Sequence, residues 1–518
     1  MDKIKILWAD DEIDLLKPHI LFLETKGFEV TAVTNGAEAV EEATDKFYSL
    51  IFLDENMPGM TGLETLYKIK RIRPEVPVVM ITKSEEEMVM EDAIGSQISD
   101  YLIKPVNPKQ ILLTVKKLVD TKRLVSEKIT LNYQQDFREL SMSVNEQLNA
   151  EEWMDVYRKL VHWDIELEKS DDETMKDVLV TQKSEANSNF SRFVENNYVD
   201  WINDPDNAPL MSPRLLSKKL IPLLDNGKPT VFLLIDNLRY DQWRIMQPKF
   251  SELFNIKDDS TYFSILPTAT NYARNSIFTG MMPSEIAKRY PKLWVNDEDE
   301  GGKNLNEQEF IGEYLKRARK DIRFSYNKIT NLEAGKSLVD NASNILNNDL
   351  AVVIYNFVDL LSHVRTEMQV LKELAEDEPA YRSLTFSWFE HSPLYDFLKK
   401  VASKKVNLVL TTDHGSVRVK RPSKIIGDRN TTTNLRYKQG KNLNFDAKAV
   451  LHVKEPDDIL LPAPFVSSSY VFAKEDNYFV YPNNYNYYVN FFKDTFQHGG
   501  ISLEEMIIPV ITMESKGS

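Results

Sequence analysis

Apolar runs that end in metal-capable side chains recur in the second half of the sequence, and the clearest example is Leu350–His363. This segment, LAVVIYNFVDLLSH, begins like a buried strand and then places Asp359 four residues before His363. On a helix the two side chains would share one face, with about 5–6 Å between their Cβ atoms. That distance suits two ligands of one divalent metal. A solvated surface pair is the simpler explanation of this stretch taken alone.

Three other segments repeat the pattern: TVFLLID ends in Asp236, LVLTTDHG contains Asp413 and His414, and FQHGG contains His498. The carboxyl ends of parallel strands meet at one edge of a sheet, so we expect these side chains to converge. Unrelated loop and capping residues are the alternative. The residues form two N/O sets, Asp359, His363 and His498 in the first and Asp236, Asp413 and His414 in the second. In a chain without cysteine, such sets favour Zn²⁺, with Mn²⁺ as the alternative.

The segment PTATNYARNSIFTG supplies a nucleophile for such a centre, at either Thr268 or Thr270. A threonine hydroxyl attacks only after a metal or a base has activated it. Two metals about 3.5–4 Å apart stabilise the attacking and leaving oxygens of phosphoryl transfer. Arg274 lies four residues after Thr270 on a predicted helix, where it can bind a phosphate oxygen. The N-terminus of that helix also favours an anion.

Residues 1–120 show a second pattern, in which five short apolar strands alternate with amphipathic helices. This alternation predicts a doubly wound parallel sheet. Polar residues close four of the strands, namely Asp10, Asp11, Asp54, Thr82 and Lys104. Three converging carboxylates require a hard cation, for which Mg²⁺ is suited. A lysine and a hydroxyl beside them can neutralise and bond a phosphoryl group.

Residues 121–205 have a long helical periodicity rich in charge, which predicts a bundle of three helices. We expect this connector to transmit the state of residues 1–120 to a third, α/β domain at 206–518. A chain of 518 residues has room for three or four domains.

The composition excludes several classes of function. The formal charge of −15 and the lack of a helix-turn-helix argue against a duplex DNA-binding module. No apolar run approaches the roughly 20 residues of a membrane helix, and the acidic N-terminal stretch MDKIKILWADDE is unlike a signal peptide. We therefore expect a cytoplasmic protein without a membrane partner.

Two insertions, roughly 283–348 and 416–495, are expected to roof the metal site, the first as polar loops. The second contains SVRVKRPSKIIGDRNTTTNLRYKQGKN, a basic strip that is either a solvated loop or a holder of oligonucleotide phosphates. In the second case Arg436 and Tyr437 are the candidate substrate-binding residues, with the ring stacked on a base. The stretch YFVYPNNYNYYVNFF is expected to form packing contacts and turns.

Residues 1–120 resemble the receiver domain of bacterial response regulators, through the acidic pair, LDENMPGMTG and the Lys-Pro pair after the fifth strand. The resemblance implies that a histidine kinase phosphorylates Asp54 and that phosphorylation commonly creates a homodimer. The implied magnesium ligands are Asp11, Asp54 and the Asn56 carbonyl, with Asp10 in support. The implied switch residues are Thr82, Tyr101 and Lys104.

Most of residues 210–518 resemble the alkaline phosphatase superfamily and, within it, the PglZ-type domain. The resemblance implies one zinc ion in each N/O set, with the nucleophile joining the second set. It favours Thr270, which lies ten residues before the glycine of Thr279–Gly280, while Thr268 remains the alternative. A threonine in place of serine is more similar to the phosphodiesterase branches, and it leaves the choice between monoesters and diesters open.

The order of the three parts resembles response regulators tied to type IX secretion. This resemblance implies a phosphorylation-controlled zinc phosphodiesterase acting on oligonucleotides, whether linear or cyclic, with an alternative sigma factor as a further partner. A competing hypothesis is that the zinc domain binds proteins without turnover. A phosphomonoesterase or sulfatase is a third option.

Overall fold

The computed structural model describes most of the chain and divides it into two compact units. The described residues are 4–83, 98–170, 172–297, 304–367, 377–428, 431–465 and 467–517, without the side chains of 120–125 and 363–367. One unit contains Met1–Asn132 and Ser170–Asp172, and the other contains Tyr133–Lys169 and Glu173–Ser518. The domain boundaries at 120 and 205 stay predictions.

The first unit is built on a parallel sheet of five strands in the order β2-β1-β3-β4-β5. Its strands are β1 (Lys5–Ala9), β2 (Glu29–Val33), β3 (Leu50–Asp54), β4 (Val78–Thr82) and β5 (Asp100–Ile103). Its helices include α1 (Lys17–Thr25), α2 (Gly36–Asp45), α3 (Gly62–Ile72) and α4 (Pro108–Val115). The predicted doubly wound sheet is therefore confirmed, while the helix expected from about residue 84 lies outside the described residues.

Local sequence explains how α3 reaches the sheet edge that carries Asp54. Thr61 and Glu64 form a reciprocal capping box at the start of the helix. A Cβ on Gly62 would lie 2.4 Å from the backbone oxygen of Asp54. Glycine therefore allows the helix to start directly against the end of β3.

The connector forms three helices, as predicted: α5 (Thr121–Val144), α6 (Ala150–Glu168) and α7 (Glu173–Asn203). Asn149 and Glu152 form a capping box at the start of α6. Trp153 of α6 packs edge-on against Phe190 of α7, with 5.5 Å between ring centroids. Periodic apolar residues thus bury one side of each of these two helices.

The second unit contains a mixed sheet in the order β7-β19-β10-β6-β9-β8. Its parallel strands are β6 (Thr230–Ile235), β8 (Phe324–Ile329), β9 (Leu350–Tyr355) and β10 (Asn407–Thr411), and its antiparallel strands are β7 (Phe254–Phe263) and β19 (Ile507–Ser515). Every residue of β6, β9 and β10 is buried. The apolar runs that predicted these strands are therefore explained by a sheet covered on both faces.

Helices surround this sheet. They are α8 (Ile221–Leu224), α9 (Tyr240–Leu253), α10 (Thr270–Thr279), α11 (Pro283–Arg289), α12 (Glu307–Arg317), α13 (Leu332–Asp340), α14 (Ala342–Ile345), α15 (Phe357–Glu367), α16 (Glu378–His391), α17 (Pro393–Ala402) and α19 (Leu503–Met506). The expectation of polar loops at 283–348 was wrong, because this region contains four of these helices and the sheet strand β8. Among the described residues, no helix is long and apolar enough to cross a bilayer.

The insertion at 416–495 forms small sheets and one helix. Its elements are β11 (Val417–Arg418), β12 (Arg421–Ile426), β13 (Tyr437–Gly440), β14 (Asn444–Phe445), β15 (Val450–Val453), β16 (Ser469–Ala473), β17 (Asn477–Val480) and α18 (Tyr485–Phe492), and β18 (Phe496–Gln497) follows directly. We call these elements the roof. The basic strip thus contributes strands, and it is not a simple solvated loop.

A buried charge network joins the connector helices to the large sheet's helices. Arg382 of α16 is 1% exposed, and its Nη1 lies 2.7 Å from Asp164 of α6 and 2.9 Å from Asp241 of α9. It also pairs with Glu168. Because these carboxylates come from different helices, Arg382 fixes the position of α6 against α9 and α16.

We expect Arg382→Met to lower the free energy of unfolding of this unit by about 3–5 kcal/mol, since it leaves carboxylates buried without their cation. Urea denaturation followed by tryptophan fluorescence measures the loss. Lys159→Met is the control, because Lys159 pairs with Glu139 at an exposed position and should leave the midpoint unchanged. Equal midpoints for both variants would contradict a structural role of the network.

Candidate active site

The receiver-like unit brings its predicted carboxylates together at the ends of β1 and β3. Asp10 and Asp54 are buried, Asp11 is exposed, and one oxygen from each lies within 4.8 Å of the others. Lys104 Nζ lies 2.8 Å from Asp10 Oδ2 and 2.9 Å from Asp54 Oδ1. Thr82 closes β4 as a buried residue. The geometry therefore agrees with a phosphoryl-accepting edge.

The charges at this edge fit a divalent cation. Burial raises the pKa of Asp54, and hydrogen bonding to Lys104 opposes that rise. Three carboxylates face one lysine, which leaves an excess of negative charge for a metal with oxygen ligands such as Mg²⁺. Asn56 follows β3 at an exposed position, and Tyr101 of β5 is 39% exposed. Their predicted roles as a carbonyl ligand and a switch residue stay predictions.

The second metal-capable group lies at the ends of β6 and β10. Asp236 follows β6, and Asp413 and His414 follow β10, which pairs with β6 in parallel. Their ligand atoms lie within 4.8 Å of one another, and all three residues are buried. Thr270 is the first residue of α10, with its Oγ1 3.1 Å from His414 Nε2 and 3.5 Å from Asp236 Oδ1.

The other predicted set lies directly beside this group. His498 Nε2 is 3.6 Å from Asp359 Oδ1, and the His498 ring stacks on that of His414 with 4.1 Å between centroids. His363 follows Asp359 by one helical turn of α15, as predicted, but its side chain lies outside the described residues. The structure thus brings the described members of both sets to one edge of the sheet.

Both histidines are oriented as metal ligands require. His414 Nδ1 lies 3.1 Å from the Gly415 carbonyl and His498 Nδ1 3.1 Å from the Thr268 carbonyl. A carbonyl only accepts, so each Nδ1 carries a proton, and Nε2 is the ring nitrogen that is directed towards the carboxylates. Burial and the neighbouring His498 also hold the pKa of His414 well below its usual range. His414 is therefore neutral and able to bind a metal.

Arg274 has a different place from the one predicted for it. Its guanidinium is fully buried and pairs with Asp236, with Asp413 at 3.0 Å and with Glu307 at 3.2 Å. All three of these partners are buried carboxylates, so the prediction that Arg274 binds a phosphate oxygen is not supported. Arg274 instead positions the two metal-capable carboxylates.

The charge balance of this centre also fits a divalent cation. Three buried carboxylates, those of Asp236, Asp413 and Glu307, face the two cations Arg274 and Lys328, with Lys328 Nζ 2.7 Å from Glu307. One negative charge remains among these five groups. Burial raises the pKa of Asp236 to about 6, even though Arg274 lowers it. A bound cation would offset this excess of buried charge.

The two candidate threonine nucleophiles lie in different surroundings. Thr268 is fully buried, and its hydroxyl donates to the Gly500 carbonyl at 3.0 Å and accepts from the Gly499 N–H at 3.0 Å. These bonds fix the turn that follows His498. Thr270 instead contacts His414 and Asp236, and this position favours Thr270 as the nucleophile.

The structure does not support a substrate-binding role for Arg436 and Tyr437. Arg436 is fully buried, with its Nη2 2.6 Å from Glu505. Tyr437 is 5% exposed, and its hydroxyl donates to Asp297 at 2.6 Å. Because both side chains are buried within the unit, neither the ring nor the guanidinium is available to stack on a base from solvent.

Sequence reasoning missed Asn237 and Glu307. Asn237 adopts a left-handed backbone conformation, with φ of 62°, which is uncommon outside glycine. Its amide lies 3.4 Å from Asp359 Oδ1 and so links the two ligand sets. The Asp-Asn pair at the end of β6 is a signal that could have found it. Glu307 has no local signal, because it meets Arg274 only through the fold.

Two centres of this kind in one chain define a class of protein, a response regulator with an alkaline-phosphatase-like output part. Sequence profiles of known families match in that order: the response regulator receiver domain at residues 6–116, the PorX response regulator linker domain at 123–202 and the BREX system PglZ alkaline phosphatase-like domain at 215–513. The last match spans more than half of the chain. The chain therefore belongs to the PglZ alkaline phosphatase-like family.

Individual relatives match the receiver part. The transcriptional regulatory protein SrrA of Staphylococcus aureus (strain NCTC 8325 / PS 47) is 33% identical over 115 residues, which is 22% of this chain and 47% of SrrA. The chain thus spans about half the length of this curated relative. A CheY-like receiver domain structure from Methanospirillum hungatei JF-1 is 28% identical, covering 23% of this chain and 96% of that one, with a TM-score of 0.23. The structure of chemotaxis protein CheY4 of Vibrio cholerae is 27% identical, covering 23% of this chain and 99% of that one, with a TM-score of 0.22.

We expect Thr268→Val to weaken metal binding, because the turn after His498 would lose two buried hydrogen bonds, each with a desolvation cost of about 1–3 kcal/mol. Thr268→Ser keeps the hydroxyl and is the matched control. Zinc titration against a competing chelator measures the difference. Lost turnover with unchanged metal affinity in Thr268→Val would instead assign the nucleophile to Thr268.

Proposed function

We propose that this protein is a two-component response regulator whose output part is a zinc-dependent phosphodiesterase acting on oligonucleotides. The observation that carries the proposal is the position of the Thr270 hydroxyl between Asp236 and His414, at a helix start and beside the Asp359–His498 pair. A domain that served only as a scaffold would not require a hydroxyl at the point where the metal-capable groups converge.

The residues present fit two zinc ions. Asp359, His363 and His498 would hold one, and Asp236, Asp413, His414 and Thr270 would hold the other. When bound, these ions would lower the pKa of a hydroxyl and polarise the phosphoryl oxygens. The N/O donor set supports this assignment, as do the Nδ1 contacts with backbone carbonyls that direct the Nε2 atoms of both histidines towards the carboxylates.

The proposed reaction has two steps. In the first, the Thr270 oxygen forms a bond to phosphorus, the bond from phosphorus to the leaving ester oxygen breaks, and the Thr270 proton is transferred through solvent to that oxygen, which leaves as an alcohol. In the second, a water oxygen forms a bond to phosphorus, the bond between phosphorus and the Thr270 oxygen breaks, and a proton from the water restores the hydroxyl. Arg274 takes no part as a phosphate ligand, so we assign the phosphate oxygens to backbone N–H groups at the start of α10, where a helix offers no carbonyl one turn earlier to accept from them.

The remaining parts of the proposal concern signalling. A histidine kinase would transfer a phosphoryl group to Asp54, and the phosphorylated chain would form a homodimer. Control of type IX secretion and contact with a sigma factor are further parts of the proposal, and the match of residues 123–202 to the PorX response regulator linker domain supports them. Connector contacts such as that of Asn187 with Glu504, at 3.1 Å, supply a physical route between the parts of the second unit.

We expect Thr270→Ala to lower the hydrolysis of bis-p-nitrophenyl phosphate by about 10³-fold or more, because the attacking oxygen is removed. Turnover of the diester, of p-nitrophenyl phosphate and of a short oligonucleotide should be compared with zinc and with a chelator. Thr433→Ala, at an exposed position of the roof, is the matched control. If the unaltered protein turns over no ester at all, the second candidate, a protein-binding module, replaces the enzyme.

We expect a small phosphodonor to shift the protein from monomer to dimer, and we expect Asp54→Ala to abolish the shift because the acceptor carboxylate is lost. Sedimentation velocity with and without the donor and Mg²⁺ measures it. Asp14→Ala removes an exposed carboxylate that pairs with Lys17 and should still dimerise. A dimer that forms without Asp54 would contradict the switching model.

A further inference from the structure

The helix α18 displays aromatic side chains to solvent instead of packing them. None of its eight residues is buried, and Tyr487 and Tyr488 are 63% and 40% exposed. The ring of Tyr487 stacks on Phe491 with 5.9 Å between centroids, so the rings present ordered planes. The expectation of packing contacts and turns therefore holds for buried Tyr478–Val480 and for the inner side of α18, but not for the outer side of this helix.

One side of α18 packs on the rest of the roof, and this determines which side chains the other side exposes to solvent. Tyr485, Val489 and Phe492 pack against the roof's apolar cluster around Tyr478, with the spacing of four and three that marks one helical face. The remaining residues form a continuous outer surface, which we call the aromatic arc: Asn486, Tyr487, Tyr488, Asn490 and Phe491. Its amides lie beside its rings, so the surface offers stacking planes together with donors and acceptors.

Two lysines flank the aromatic arc. Lys424 Nζ lies 4.9 Å from the ring centroid of Tyr485, and Lys493 follows the helix at an exposed position. Within the described part of the chain, neither lysine forms an ion pair, although Asp446 lines the same pocket as Lys424. The carboxylate of Asp494, next to Lys493 in the chain, is paired with Arg418 at 3.2 Å. The ammonium group of Lys493 in particular is therefore available to an anion.

A short ribbon connects this surface to the candidate active site. β11 and β18 pair antiparallel, with Val417 opposite Gln497. β11 begins three residues after His414, and β18 ends directly before His498. Lys493 is five residues from His498, which is at most about 18 Å along the extended chain. A short polymer lying at the active site can therefore reach the arc.

We propose that the aromatic arc, with Lys424 and Lys493, is a subsite for the flanking nucleotides of a single-stranded oligonucleotide. The bases stack on Tyr487, Phe491 and Tyr488, and the lysines bind phosphates. This inference rests on the proposed phosphodiesterase activity. It adds that the substrate has several nucleotides beyond the phosphodiester bond that is cleaved. The stripe of amides favours nucleobases over a lipid surface, since it interrupts the apolar area with groups that pair with base edges.

The test measures binding separately from cleavage. In a Thr270→Ala background, fluorescence anisotropy gives the affinity for a fluorescein-labelled oligothymidylate of about ten nucleotides. Replacing both Tyr487 and Phe491 by Ala should weaken binding about 5- to 100-fold per lost base stack. Tyr487→Phe keeps the ring and should bind normally. Tyr67→Ala, at a tyrosine of α3 that is 57% exposed, is the control.

With Thr270 intact, kcat/KM for bis-p-nitrophenyl phosphate should not change in the double variant.

Several outcomes would overturn the subsite. These are unchanged oligonucleotide affinity in the double variant, an equal loss of small-diester turnover, or an effect only on dimer mass or on binding to anionic vesicles. The slope of log binding constant against log salt concentration should become shallower by about 0.7 in Lys424→Gln, because one phosphate contact is lost, and this result would support the subsite. If the unaltered protein cleaves no diester but still binds the oligonucleotide through the arc, the phosphodiesterase fails and the subsite stands as a binding site.

Discussion

The buried ion cluster around Arg274 is the constraint on which the larger centre depends. Asp236 and Asp413 follow neighbouring parallel strands, so the sheet forces two carboxylates together in a region that water does not reach. Arg274 lies between them and pairs with Oδ2 of each. Its helix begins at Thr270. The Arg274 cation thus offsets the repulsion between the two carboxylates and orients both of them. Because Thr270 is on the same helix, the ion pairs of Arg274 also fix the position of the Thr270 hydroxyl.

The two centres share this plan but differ in how far the central cation is enclosed. Lys104 also lies between two buried carboxylates, yet its side chain is 13% exposed and ends in a single flexible ammonium group. It can therefore turn towards an incoming phosphoryl group. The Arg274 side chain is 0% exposed, and each branch of its planar group already has a partner. The degree of burial therefore decides whether a cation is available to the substrate or serves the protein alone.

The sequence could predict what depends on strand ends and helical spacing. The apolar runs before Asp54, Asp236 and Asp413 identify buried strands, and parallel pairing then brings their carboxylates together. Helical spacing predicts that Arg274 lies on the same side of its helix as Thr270, but it does not predict that the guanidinium is fully buried. The burial depends on its partner Glu307, which is 33 residues away and carries no local signal. The same limit applies to Arg436, whose partner Glu505 lies in α19, 69 residues further along the chain. Sequence is limited in the same way for α18, because its apolar composition indicated burial but only one face of the helix packs against other residues.

The ribbon of β11 and β18 makes the roof a covalent neighbour of a ligand in each metal set. If the proposed zinc ions bind there, ordering of the roof and retention of metal are linked equilibria, since both depend on where His414 and His498 are held. By reciprocity, any molecule that binds the roof more tightly in the metal-loaded state must raise metal affinity by the same factor. Substrate would then retain the cofactor, and a chain without substrate would lose its metal more readily in a cell where zinc is scarce.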